Sequence, residues 1–172
     1  MNLVINYMKK IIVFLLFSSL LQGCTFIKNN NSGSIYQDMI KDIANYEDYI
    51  NESEYFKVNV SIKALGEDYY RYDVFINEPT IELRHVRAIA VLLEPTDINN
   101  TIFPSLGYNE NEVYHLTNDS SNKNGPYYRG IQLSGISQNS EVAIKLYIEF
   151  SYQNQYYQQY ILVEGKIDDE TG

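Results

Sequence analysis

Residues 141–152 read EVAIKLYIEFSY. Val142, Ile144, Leu146, Ile148, Phe150 and Tyr152 occupy every second position, with Glu141, Lys145, Glu149 and Ser151 among the residues between them. A repeat of two is that of a β-strand, so the segment predicts a strand with one face in a core and the other in solvent. Gln153-Asn154-Gln155 then predicts a turn, and residues 156–164 the returning partner of a hairpin.

The same alternation recurs upstream. Val58, Val60, Ile62 and Ala64 alternate with Lys57, Asn59, Ser61 and Lys63, and a turn follows at Gly66-Glu67-Asp68. Tyr70, Tyr72, Val74 and Ile76 then alternate with Tyr69, Arg71, Asp73 and Phe75, up to Glu78-Pro79. Residues 80–83 predict a short edge strand. Residues 87–93 (RAIAVLL) are apolar on both faces after the Arg, as a central strand requires. Residues 94–108, with Pro95, Asn99-Asn100, Pro104 and Gly107, predict a long loop; residues 112–116 and 128–135 add weaker strands, separated by the polar loop 117–126.

The fold class expected is therefore mainly β: an antiparallel immunoglobulin-like β-sandwich of seven or eight strands over residues 53–166. The Cys-Trp-Cys signature of true immunoglobulin domains is missing, so the likeness is one of architecture. A small barrel is the alternative. Before these strands, residues 35–52 predict one short amphipathic helix. Ser34 and Gln37 form a capping-box pattern, and Ile35, Met39, Ile43, Tyr46 and Ile50 lie at helical spacing on one face. Residues 167–172 predict a frayed end.

The start of the chain has another character. Lys9 and Lys10 precede an apolar run, residues 11–21, interrupted only by Ser18 and Ser19. Eleven helical residues extend about 16 Å, short of a hydrocarbon core of about 30 Å, so a signal peptide fits and a spanning anchor does not. The run ends in Leu21-Gln22-Gly23-Cys24, and Cys24 is the sole cysteine. Here the chain resembles the bacterial lipoproteins, whose signals end in Leu, a small residue, Gly or Ala, then Cys. Gln22 departs from the small residue preferred there. The resemblance implies cleavage after residue 23, a diacylglycerol on the Cys24 sulfur, and an acylated new amino terminus. Two or more acyl chains give stable membrane anchoring where one does not. Residues 24–34 would then be the lipidated Cys and a flexible Asn/Ser/Gly tether.

Such processing would leave 149 residues, Cys24 to Gly172. The formal charge of the whole chain is −9, from 13 Lys and Arg against 22 Asp and Glu. It would become −11, since Lys9 and Lys10 leave with the signal and every acidic residue stays. That acidity argues against nucleic acid as a partner and against the body lying on anionic lipid. A single Cys excludes an intrachain disulfide and a multi-Cys zinc site.

Catalytic patterns are thin. His85 and His115 are the two histidines, each fitting a hydrogen-bonded surface or edge residue, and no Ser lies in a Gly-x-Ser-x-Gly elbow. Residues 97–101 (DINNT) space oxygen donors as calcium loops do. Counted from Asp97, however, Ile102 and Tyr108 stand where the loop needs Gly and Glu. Glu141 and Glu149, taken as lying on a solvent face of one strand, would be about 26 Å apart, too far for a glycosidase pair. The expectation is a non-enzyme without metal or cofactor.

What stands out is 17 Tyr with no Trp. Three clusters form: Tyr69-Tyr70-Arg71-Tyr72, Tyr127-Tyr128-Arg129, and Tyr156-Tyr157 with Tyr160. Tyr and Arg are enriched in protein interfaces, while Tyr also serves simply as a good strand former. Tyr69, Arg71, Tyr127, Arg129 and Tyr156 are the candidate binding residues. The function expected is an extracytoplasmic lipoprotein, held to the membrane through Cys24, with a protein partner in a surface, secretion or transfer apparatus. Binding of a glycan or small solute is the alternative. Thr25 after the Cys lacks the Asp that retains Gram-negative lipoproteins at the inner membrane. The resemblance therefore implies the outer membrane, facing the periplasm, in a Gram-negative cell. In a Gram-positive cell it implies the outer leaflet of the cell membrane.

Overall fold

A computed structural model describes residues 32–93, 102–108, 111–119 and 124–167. The expected signal, Cys24, the tether up to residue 31, the Asn-rich segment 97–101 and residues 168–172 lie outside the described residues.

The chain is mainly β with one helix. Helix α1 (Ser32–Asn45) is followed by β1 (Lys57–Ala64), β2 (Tyr70–Asn77), β3 (Arg84–Leu92), β4 (Ser105–Leu106), β5 (His115–Leu116), β6 (Tyr127–Tyr128), β7 (Gly130–Ser137), β8 (Glu141–Tyr152) and β9 (Gln155–Lys166). Two antiparallel sheets carry most of it, one in the order β1-β2-β7 and one in the order β4-β3-β8-β9. A two-residue parallel pair, β5 with β6, forms a third small sheet beside the start of β3, where Leu83 and Leu116 bridge. Among the described residues no helix is long and apolar enough to cross a membrane.

The strands with the clearest alternation form as expected. In β2, Tyr72, Val74 and Ile76 are buried, and in β8 so are Val142, Ile144, Leu146, Ile148 and Phe150. Buried residues of both sheets and of α1 belong to one apolar cluster. Gly165 of β9 marks where the sheets meet, because a Cβ there would come within 2.5 Å of Val60 Cγ1 in β1. The β8–β9 hairpin closes through Gln153 and Asn154, both at positive φ (49° and 62°), with Tyr152 paired to Gln155. Two left-handed residues are what a type I′ turn requires.

The helix departs from expectation at both ends. It begins at Ser32, inside the stretch expected as tether, so Ser34 lies within the first turn rather than capping it. It stops at Asn45, short of residue 52, because the next residues are used otherwise. Ile50 donates its N–H to Tyr160 O and accepts from Leu162 N, both at 2.9 Å, which needs extended chain beside β9. The buried face is set by Ile40 and Ile43, with Tyr36, Met39 and Ala44 beside them. Tyr46 and Ile50, expected on that face, lie beyond the helix and are exposed.

Candidate functional site

Residues opposite each other in an antiparallel pair share a face of the sheet. On the β4-β3-β8-β9 sheet, the face turned away from β1 and Gly165 carries four rows across β3, β8 and β9. They are Arg84, Ser151 and Tyr156; Arg87, Glu149 and Gln158; Ile89, Tyr147 and Tyr160; and Val91, Lys145 and Leu162. The rows grade from polar, near the β8–β9 turn, to apolar at the far end.

Lys145 and Glu149 correct the expectation of a solvent face. Each is only 6% exposed. The chain around the end of α1 covers the apolar rows: Lys145 Nζ donates to Ala44 O at 2.7 Å and to Tyr46 O, and lies 5.5 Å from the Tyr49 ring centroid. The Tyr46 ring stacks on Tyr160 at 3.8 Å. An ammonium group thus meets the carbonyls that a helix leaves unsatisfied at its C-terminal end, where the helix dipole favours positive charge.

Glu149 sits at the border of the covered and open rows. Its Oε1 accepts from Arg87 Nη1 at 3.1 Å, and its Oε2 from Tyr147 OH at 2.9 Å and from Tyr156 OH. Gln158 Nε2 donates to Tyr147 OH at 2.6 Å. Burial first, then the hydrogen bond to Glu149 and its charge, push both phenols above the ordinary tyrosine range. Both phenols act as donors to a fixed carboxylate. Tyr108 lies close by, with Arg87 Cζ 6.0 Å from its ring centroid. Its hydroxyl is buried with no hydrogen-bond partner among the described residues, and burial raises its pKa.

The polar end of the face is shaped by a bulge. Arg84 pairs with Ser151 and Arg87 with Glu149, so three steps along β3 match two along β8. His85 takes up the difference at φ 52°. Its backbone N–H donates to His115 Nδ1 at 3.0 Å, and the two rings meet edge to face at 5.1 Å. Nδ1 of His115 is thereby an acceptor, and Tyr127 lies against that ring at 4.8 Å. No group of three or more His, Cys, Asp or Glu able to hold a metal occurs among the described residues. Beside the bulge is an open cleft of about 570 Å³, with Glu82, Arg84, Ser151, Asn154 and Tyr156 in its walls.

The expected binding residues fall in three places. Tyr69 is exposed just before β2, and Arg71 lies on the outer face of the other sheet. There Arg71 Nε donates to Asp73 Oδ1 at 2.9 Å and Nη2 to Ser134 Oγ at 3.3 Å. Burial opposes ionisation of Asp73, but hydrogen bonds from Ser134, Arg71 and Gln132 together hold its carboxyl below the usual range. Tyr127 is half-buried in β6, and Arg129 is exposed before β7. Arg71 pairs with Ile136 whereas Gly130 pairs with Asn77, so these clusters sit about 20 Å apart along the sheet. Tyr156 belongs to the second sheet and alone enters the Glu149 network.

Sequence reasoning missed Arg87, Tyr108, Lys145, Tyr147 and Glu149 as a group. The signal available was Tyr147 between Lys145 and Glu149: an aromatic on a supposedly wet face, opposite another at Tyr160. No family model, curated protein or solved structure matches the chain.

Proposed function

We propose that this protein is a bacterial envelope lipoprotein, anchored through acyl chains on Cys24. Its β body serves as a protein-interaction or accessory subunit of a surface, secretion or transfer apparatus. The observation that carries this is the run from Lys9 to Cys24, with a short apolar segment closing on Leu21-Gln22-Gly23-Cys24. In this account the two antiparallel sheets form an immunoglobulin-like sandwich, a scaffold that presents contact surfaces. Exposed Tyr69, Arg71 and Arg129 supply residue types favoured in interfaces. In this reading the function is binding rather than catalysis, with Glu149 occupied by three donors of its own sheet face.

The anchor is tested by Cys24→Ala and fractionation of cells. Loss of the acyl groups, seen as a changed mass, and loss of stable membrane association are expected; unchanged membrane association and mass would defeat it. The partner is tested by cross-linking in intact cells, comparing the parent with folded Arg71→Glu and Arg129→Glu. An adduct lost in at least one variant is expected, and one that survives both excludes these faces.

A further inference from the structure

We propose that the cleft beside the β8–β9 turn binds a neutral, hydroxyl-rich ligand, a short run of sugar rings, with Tyr156 as its stacking wall. Tyr156 is 59% exposed, yet its hydroxyl is tied to Glu149, a carboxylate itself held by Arg87 and Tyr147. The ring is therefore anchored at its polar tip and bare over much of its surface. Such an arrangement limits the ordering cost of stacking a ligand on it.

The chemistry of the walls points to an uncharged partner. Arg84 and Glu82 face each other at 2.6 Å, so the cleft's guanidinium and its carboxylate offset one another. The turn adds the amides of Gln153, Asn154 and Gln155, and β8 adds the Ser151 hydroxyl. Among the described residues, Asn154 and Ser151 make no side-chain hydrogen bond. Amides and hydroxyls both donate and accept, as each sugar hydroxyl does. A ligand of high charge of either sign would be desolvated there with no net opposite charge to meet it.

The geometry is built rather than incidental. The left-handed turn residues Gln153 and Asn154 and the positive-φ bulge residue His85 all line the cleft. The hairpin turn accounts for the first two, and the bulge, closed by the His85 N–H to His115 Nδ1, holds the third. A volume of about 570 Å³ suits a small ligand. This inference is independent of the lipid anchor and of a protein partner.

The absence of Trp makes tyrosine emission a direct readout. The full chain, in a detergent without a sugar headgroup, is titrated with maltotriose, chitotriose and xylotriose, and with trigalacturonate as the charged comparison. The chitotriose is the fully N-acetylated trimer, which is uncharged, and saturable binding of at least one neutral probe is expected. Tyr156→Ala should weaken it about tenfold, Tyr156→Phe less, and Lys63→Ala, remote on β1, not at all. Asn154→Gly keeps the positive φ the turn needs, so it should fold and weaken binding about threefold. If Tyr156→Ala fails to fold, Asn154→Gly decides. No saturation by any neutral probe, tighter binding of trigalacturonate than of all three, or undiminished affinity in the deciding variant overturns the proposal.

Discussion

Replacing Lys145 by Met tests whether a single ammonium group latches α1 to the sheet. Met nearly matches the length of the lysine stem, so the stem's place in the row beside Leu162 is largely kept. Two charge-assisted hydrogen bonds, to Ala44 O and Tyr46 O, are lost. Each contributes about 1.5–3 kcal/mol, giving a gross loss of about 3–6 kcal/mol. Two effects reduce it: the variant no longer desolvates an ammonium group, and the Tyr46 carbonyl belongs to an exposed residue that water can reach. A net destabilisation of about 2–3 kcal/mol follows, or a fall in Tm of about 5–10 °C for a domain of this size. The assay is urea unfolding together with hydrogen exchange of the purified full chain. The urea midpoint should fall, and α1 amides should lose protection before those of β8. A change below about 0.5 kcal/mol with α1 protection intact would refute the latch.

Three further outcomes are expected. Gly135→Ala places a methyl against the Tyr72 hydroxyl and ring, which are buried and paired opposite it, and should cost about 1–3 kcal/mol in urea unfolding. Asp73 has a folded-state pKa below its unfolded value of 3.8, so its stabilising contribution is complete above that value and is lost as pH falls through the folded pKa. Asp73→Asn should therefore flatten the dependence of Tm on pH below about 4, measured by circular dichroism. Glu149→Gln removes a charge that, after burial, holds the Tyr147 and Tyr156 phenols protonated. Raised phenol pKa values stabilise the fold below pH about 10 and lose that effect as pH rises through the folded values. The variant should show tyrosinate absorbance appearing at lower pH than the parent.

The strands were legible where alternation was clean. The bounds of β8 follow directly from EVAIKLYIEFSY, and RAIAVLL does become a central strand between β4 and β8. The candidate site was not legible, for a physical reason. A period of two says which residues share a face and is silent on whether another element covers it. Lys145 reads as solvated because the helix end that covers it comes from about a hundred residues earlier in the sequence, and Glu149 because its donors Arg87, Tyr147 and Tyr156 meet it only through strand register. The helix boundary is hidden likewise: Ile50 fits a helical stripe, and only its pairing with β9 shows that it is extended. The His85 bulge carries no local mark, since neither Gly nor Pro occurs between Arg84 and Arg87. Cluster composition points to Tyr156, but its link to Glu149 depends on hairpin register.

The bridge between Ile50 and β9 bears on how the protein avoids joining copies of itself. β9 is an outermost strand of twelve residues, and unpaired peptide groups along such a strand can template addition of a strand from another chain. Ile50 occupies the donor–acceptor positions of Tyr160 and Leu162 near its middle. A second chain cannot run continuously along that margin without first evicting residue 50, so the segment after α1 works as a guard against sheet-to-sheet aggregation.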